Sequence, residues 1–421
     1  MSRSASARAR HRLHATARSL LGALPRELRF GFYRRMVDCP QVLAETFEFT
    51  IARTRDDLEA CFALLHDAYV ASGFMAAHPS GLRVTPYHAL PTTTTLAAKV
   101  AGQVVGTLSI VREGVFGFPL QSAFDITAVR AKGGRIAEIS ALAVHPSFRR
   151  TGGSVLFPLM KFMYEYCTRY FDTRHLVIAV HPTRIELYES LLFFERLTAR
   201  TVDRYDFANG APAVGATLDL AQAPQLFRRA YVGKSARRDL HRYFVETKLP
   251  NIRFPERDWN VSNDPILTPA LADHFFNVRT QGFAELDDRR KRLLHSIYDG
   301  PAWEAVLPRL ADPAPPGSAL RRAPRFTFKC EGTLSAPGTP TRRHPFTIIE
   351  LSRNGFRART DTQLAIGAHL TAEAELGAGR HTRVDARVVV AAPSYDGPAY
   401  GFHVADPDAA WSSCVDWLER A

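Results

Sequence analysis

Residues Ala311-Asp312-Pro313-Ala314-Pro315-Pro316-Gly317-Ser318 divide this chain in two. A proline lacks the amide that a helix or a ladder needs, and it biases the residue before it toward extended backbone. Neither a helix nor a sheet strand runs through such a segment, which reads as a semi-rigid linker. The parts on either side read as separate domains. With 421 residues, 46% of them hydrophobic, there is material for two or three cores.

The part before the linker alternates strands and helices. Phe47–Ala52 reads as a strand, Asp56–Tyr69 as a helix with Leu58, Cys61, Phe62, Leu65 and Tyr69 on one face. Thr94–Val100 and Gln103–Val111, joined by Ala101-Gly102, form a hairpin. Strands follow at Ile136–Val144 and Leu176–Val180, with helices after Gly153 and over Arg184–Phe194. This order points to an α/β domain over residues 46–222. Residues 223–310 read as a helical extension: Ala223–Tyr231, Ser235–Thr247 and Pro269–Leu307, the last broken near Pro301. These helices are expected to cover the site or to transmit a state from the C-terminal domain. Thr183-Arg184-Ile185-Glu186 reads as a capping box that starts the Arg184 helix.

Charge is unevenly placed. The net charge is +12, and residues 1–36 hold nine arginines against one acid, Glu27. The rest is mildly basic, so the body is not expected to bind nucleic acid. In the basic arm, residues 1–45, Leu13, Ala17, Leu20, Leu21 and Leu24 recur at helical spacing among arginines. That pattern suits contact with an anionic membrane surface, a transit peptide or a tail. Five scattered cysteines without metal spacing read as reduced thiols of a cytoplasmic protein, the arm peripheral to the inner membrane. No metal site, Walker loop, dinucleotide fingerprint, nucleophile elbow or internal repeat is present, and no run of 18 apolar residues spans a membrane.

Two segments carry chemistry. In Leu142-Ala143-Val144-His145-Pro146-Ser147-Phe148-Arg149-Arg150-Thr151-Gly152-Gly153-Ser154 a strand stops, turns through arginine and glycine, and opens a helix. Free amides at a helix start, with glycines allowing close approach, bind phosphate. Beyond the linker, Arg321-Arg322-Ala323-Pro324-Arg325 precedes Glu350-Leu351-Ser352-Arg353-Asn354-Gly355. Guanidinium forks match phosphates and guanine edges bidentately and stack on purines. Strand signals at Phe346–Ile349, Arg387–Ala392 and Tyr400–Val404, with a helix at Ala410–Glu419, suit a small barrel over residues 319–421.

The second pair of motifs resembles the cyclic di-GMP site of PilZ domains, with Glu350 where Asp is usual. The resemblance implies a six-stranded barrel that binds cyclic di-GMP through Arg321, Arg322, Arg325, Glu350, Ser352 and Gly355. PilZ domains are bacterial, which argues against a transit peptide. The first segment resembles the pyrophosphate loop of GNAT acyltransferases, with Ser154 where Gly or Ala is usual. Asp67–Phe74, Arg83, Leu90-Pro91, Val105–Thr107, Ala137–Val144, His181-Pro182, Gly210–Val214 and Leu218–Leu220 resemble the long-chain N-acyl amino acid synthases, relatives of the acyl-homoserine lactone synthases.

That resemblance implies transfer of a long-chain fatty acyl group from an acyl carrier protein or CoA thioester to an amino acid amine, without a metal. Glu138 would bind or deprotonate the amine, with His181 a reserve base, and Tyr188 would protonate the departing thiolate. Val144, Arg149, Arg150, Gly152 and Gly153 would hold the phosphopantetheine arm, and Arg83 the amino acid carboxylate. Cyclic di-GMP would regulate the transfer. The alternative is an acyltransferase fold that has lost activity and serves as a cyclic di-GMP receptor and interaction module.

Overall fold

The computed structural model describes residues 24–311 and 325–420, except 150, 263, 265, 299, 337, 338, 395 and 396. Most of the basic arm, the linker prolines and Arg150, Arg321 and Arg322 therefore lie outside the described residues.

The first helix, α1, spans Arg26–Arg35, followed by β1 (Phe47–Ile51) and α2 (Arg55–Ala71). Thr54 caps α2 by accepting the Asp57 amide at 3.1 Å. β2 (Thr93–Val100) and β3 (Gln103–Arg112) form the expected hairpin. Its two turn residues, Ala101 and Gly102, have φ of 48° and 79°, the left-handed pair that matches strand twist. Then come β4 (Arg135–Val144), α3 (Leu156–Arg169), β5 (Thr173–Val180), α4 (Pro182–Leu192), β6 (Glu195–Arg196), β7 (Val202–Tyr205) and β8 (Ala211–Asp219). The sheet order is β1-β2-β3-β4-β5-β8-β6, with β7 on β8. Only β4 and β5 run parallel; the other pairs are antiparallel.

Two apolar layers cover this sheet. One face packs on α3 and on α5 (Ala223–Tyr231), around Phe49, Leu108, Phe162, Tyr166, Phe227 and Tyr243. The other packs on α2 and on the chain from Pro269 to Leu307, around Phe62, Phe275, Phe276 and Phe283.

The extension departs from the expected helices. Ser235–Thr247 forms a 3-10 turn at Ala236–Arg238 and a π turn at Arg242–Glu246. The Asp239 carboxylate takes the Arg242 amide at 3.0 Å, a side-chain bond that competes with a continuous helix. Pro269–Leu307 is cut more often than expected. A short helix at Pro269–Asp273 runs into a π turn, and α6 (Asp288–His295) restarts on the Asp287 cap. Gly300, at φ 101°, stops the chain again before Pro301. The capping box at Thr183 is also corrected. His181 is the cap of α4, Pro182 occupies its first position, and the Thr183 amide donates to His181 Nδ1 at 3.3 Å.

Past the linker, β9 (Phe326–Ala336), β10 (Thr339–Ser352), β11 (Gly355–Arg359), β12 (His369–Gly377), β13 (Arg380–Ser394) and β14 (Gly397–Val404) close an antiparallel barrel, followed by α7 (Ala409–Arg420). The first domain reaches into this barrel. Trp259 and Val261 are buried in its core, and the segment bonds along it: Asn260 N to Leu376 O at 2.8 Å and Ser262 N to Thr327 O at 3.1 Å.

Candidate active site and barrel hairpin

β4 and β5 pair only over Arg135–Glu138 and Thr173–Val177, then separate. The cause lies in β4: Ala141 sits at φ 54° and the β3–β4 register shifts beside it. The fork opens a cavity of about 470 Å³ lined by Glu138–Leu142 of β4, Ile178–Val180 of β5, and Tyr188 of α4. Met160 and Met163 of α3, Leu192, Phe194 and Ala213 make much of its wall apolar. His181, Thr183 and Arg184 border it, with Arg184 exposed.

Glu138 stands at the apex of the fork. It is 2% exposed and accepts the Leu120 amide at 2.9 Å. Burial pushes its carboxyl up to about 8, against the opposing pull of that amide bond. Tyr188 packs edge-on against Phe194 and lines the cavity. Burial raises its pKa, so it enters the cavity as a phenol able to donate. His181 stacks on Phe74 with centroids 5.9 Å apart, and its Nδ1 is engaged as the helix cap.

The remaining sequence candidates fall in two places. Arg149 Nε donates back to the Val144 carbonyl at 2.9 Å, which shapes the loop. Gly152 and Gly153 take φ of 62° and 77°, and α3 then begins without a side-chain cap. The loop adjoins the fork through β4, but Val144, Arg149, Gly152 and Gly153 do not line the cavity. Arg83 does not line it either. It sits behind Tyr69 and Phe207, 4.2 and 5.0 Å from their ring centres, with Nη2 donating to the Phe207 carbonyl at 2.7 Å. Those two aromatics are what face the cavity. No described residue of 223–310 lines it, so the extension does not cover the site as expected.

Sequence reasoning missed Tyr205. Its hydroxyl is buried with no partner among the described residues, it lines the cavity, and its pKa is raised by burial first and then by Glu138. A four-residue strand carries no periodicity to mark it. Arg184 was noticed only as part of a helix start, and its place at the cavity follows from the fork.

On the barrel, Ser352 pairs with Gly355 across a two-residue turn, and Ser352 Oγ donates to the Gly355 carbonyl at 2.9 Å. Trp411 Nε1 secures the same hairpin through the Ser352 carbonyl at 3.1 Å. A Cβ at Gly355 would overlap the Phe402 carbonyl oxygen, so only glycine lets β11 approach β14. Arg325 lies half exposed at the mouth of this hairpin, 3.3 Å from Glu350. The structure thus brings Arg325, Glu350, Ser352 and Gly355 to one end of the barrel.

A forked parallel pair with a glycine turn into a helix defines a GNAT-type acyltransferase domain, here joined to a closed six-stranded barrel. Residues 60–219 match the family model of the N-acyl amino acid synthase FeeM, and residues 319–416 that of the PilZ domain. The chain joins a FeeM-type N-acyltransferase domain to a PilZ domain. Among solved structures it is similar to FeeM, an N-acyl amino acid synthase from uncultured soil microbes, at 22% identity over 42% of this chain and 93% of that one, TM-score 0.36. BjaI, a CoA-dependent acyl-homoserine lactone synthase, is 19% identical over 50% and 96%, TM-score 0.36. The PilZ domain of YcgR from Escherichia coli, with c-di-GMP, is 16% identical over 24% and 92%, TM-score 0.21. No curated protein matches the chain.

Proposed function

We propose that the chain transfers a long-chain fatty acyl group from the thioester of an acyl carrier protein, or of CoA, to the amine of an amino acid. The observation that carries this reading is Glu138, a buried carboxyl at the apex of a largely apolar cavity that Tyr188 enters from the opposite helix. A group pushed up to about 8 is matched to taking a proton from an ammonium. The freed amine attacks the thioester carbonyl, forming the C–N bond. Collapse of the tetrahedral species breaks the C–S bond, Tyr188 gives its proton to the sulfur, and the proton shed by the nitrogen restores the phenol. His181 serves the entrance, and Arg184 beside it meets a carboxylate or phosphate at the mouth. Arg83 acts on the amino acid through the aromatic pair it holds. The loop Val144–Gly153, with Arg149 and Arg150, receives the phosphopantetheine phosphate and the acidic carrier surface.

Cyclic di-GMP binds the barrel at Arg325, Glu350, Ser352 and Gly355, with Arg321 and Arg322 completing the clamp, and regulates the transfer. Arg325 and the hairpin fit such a ligand: a half-exposed guanidinium stands beside the tight Ser352–Gly355 turn, whose glycine lets β11 pack on β14.

Purified full-length protein is to be incubated with long-chain acyl carrier protein or acyl-CoA and mixed amino acids, and the products read by mass spectrometry. N-acyl amino acids are expected, with the carrier donor preferred. A folded protein that yields none with either donor overturns the reading.

A further inference from the structure

α1 turns outward the side of itself that a surface helix ordinarily buries. Arg26, Arg29, Tyr33 and Arg34 reach back to the protein, while Glu27 and Arg35 are exposed. Arg26 Nη2 lies 2.9 Å from Glu189 Oε1, Arg29 Nη2 lies 2.6 Å from Glu186 Oε1, and Arg34 Nε donates to the Ser190 carbonyl at 2.8 Å. Tyr33 Oη donates to Glu186 from the same side. Leu28, Phe32 and Met36 are meanwhile 60%, 43% and 66% exposed, and Leu24 extends the row at 41%. Four-residue spacing puts Leu28, Phe32 and Met36 on one stripe, and Leu24 precedes the helix. A single exposed leucine is ordinary, whereas an exposed apolar row in register marks a surface that meets something apolar.

Cations flank the stripe. The loop after α5 is pinned beside the end of α1, Cys39 N donating to the Arg237 carbonyl at 2.8 Å and Gln41 Nε2 to the Ala236 carbonyl at 3.0 Å. That loop carries Val232, 73% exposed, and Lys234. Burial first, then Arg34, Arg35 and Arg238, lower the Lys234 pKa against the pull of Asp239, so four cations and one acid gather at this edge. The chain preceding α1 adds arginines without an acid. A second copy is a poor occupant, because a two-fold pairing would set this cation cluster against itself. Apolar side chains between cations instead match an anionic lipid surface, which offers an acyl boundary below a layer of phosphates.

We propose that this face docks on an anionic bilayer, with Leu24, Leu28, Phe32 and Met36 entering the boundary between headgroups and acyl chains while the surrounding arginines meet lipid phosphates. α1 lies on α4, whose other side carries Tyr188, so docking seats the catalytic helix one layer above the membrane. The docking stands independently of the acyl-transfer reading, since it rests on none of the cavity residues.

Co-sedimentation of the full-length protein with phosphatidylcholine vesicles, with and without phosphatidylglycerol, tests it. The protein should pellet with the anionic vesicles only. Leu28→Ser/Phe32→Ser/Met36→Ser should lower partitioning at least tenfold with an unchanged melting temperature, because the exchanged side chains are exposed. Lys234→Glu/Arg238→Glu should weaken binding and flatten its salt dependence. Equal binding by the triple-serine variant would place membrane contact in the preceding arm and overturn the assignment. So would wild type that ignores both vesicles, or a variant that changes only the oligomeric state. Acyl transfer by detergent-free protein is measured separately and decides neither outcome.

Discussion

Glu138 illustrates how a single position trades stability for chemistry. Its carboxyl is raised from 4.5 to about 8, so the folded state binds that proton more tightly than the unfolded chain does. Stability from this group is full below the lower value and is lost as pH rises through about 8. Glu138→Gln removes the titration. Its melting temperature relative to wild type should therefore climb between pH 5 and 9, roughly, while turnover drops about 10²- to 10⁴-fold. Wild-type kcat/KM should rise with pH, reach half its plateau near 8 and level off above it, as the carboxylate form fills. A flat profile, or a variant that tracks wild type at both ends of the range, would remove Glu138 from the base role. Tyr205 makes a second case. Its buried hydroxyl has no partner, and leaving one unpaired costs about 1–3 kcal/mol. Tyr205→Phe should melt at or above the wild-type temperature yet lose about tenfold in kcat/KM for the amino acid, the worth of one hydrogen bond made only to substrate. Parallel loss of both properties would make the hydroxyl structural.

At the scale of elements, the β10–β11 hairpin gathers a packing glycine and the proposed ligand contacts in four residues. Gly355→Ala drives a methyl into the Phe402 carbonyl and should destabilise the barrel by about 1–3 kcal/mol, the usual cost of overpacking, and abolish cyclic di-GMP binding. Arg325→Ala should leave the melting temperature near wild type, since its ion pair with Glu350 is half exposed, and weaken binding at least tenfold. Glu350→Asp should bind as well or better. Calorimetric titration distinguishes these outcomes, and full affinity in Arg325→Ala would move the ligand elsewhere. β4 does comparable work in the other domain. Its bulge at Ala141 separates it from β5, places Glu138 at the apex, and aims Ile139–Leu142 along the cavity.

On the scale of the whole molecule, the two domains meet through a structured seam. Asp172, in the turn before β5, pairs with Lys329 at 2.7 Å and Arg359 at 3.0 Å. Arg135, the first residue of β4, reaches Ser262 Oγ at 3.0 Å and the Phe328 carbonyl at 3.4 Å. Asp264 joins the inserted segment to Tyr166 of α3 at 2.6 Å and to Arg257 at 2.8 Å. The barrel thus touches the strand that bears Glu138 three residues further on. If cyclic di-GMP favours one arrangement of this seam, linkage requires that donor and amino acid change its affinity by the same factor, a coupling of roughly 1–3 kcal/mol. Asp172→Ala should shrink that coupling while basal turnover and ligand binding persist. Cyclic di-GMP affinities that agree with and without saturating substrates, in wild type, would leave the domains merely tethered.

Much of this was legible in sequence because it depends on local physics. Proline run, turn glycines and alternation marked the division into domains, the β2–β3 hairpin, the fork strands and the Ser352–Gly355 turn. Each needs only a residue's own backbone preference and its near neighbours. The break near Pro301 was legible, but those at Asp239 and between Asp273 and Asp287 were not, since they interrupt an otherwise helical pattern. Tertiary structure alone decided the rest. Whether β4 leaves β5 at Glu138, whether Arg83 meets the cavity or only its aromatic wall, and where Trp259 goes all depend on partners more than thirty residues away in the chain. The same is true of α1, whose sequence is amphipathic either way round. Glu186 and Glu189, on a helix about 150 residues later, capture its arginines and so determine that its apolar stripe faces outward.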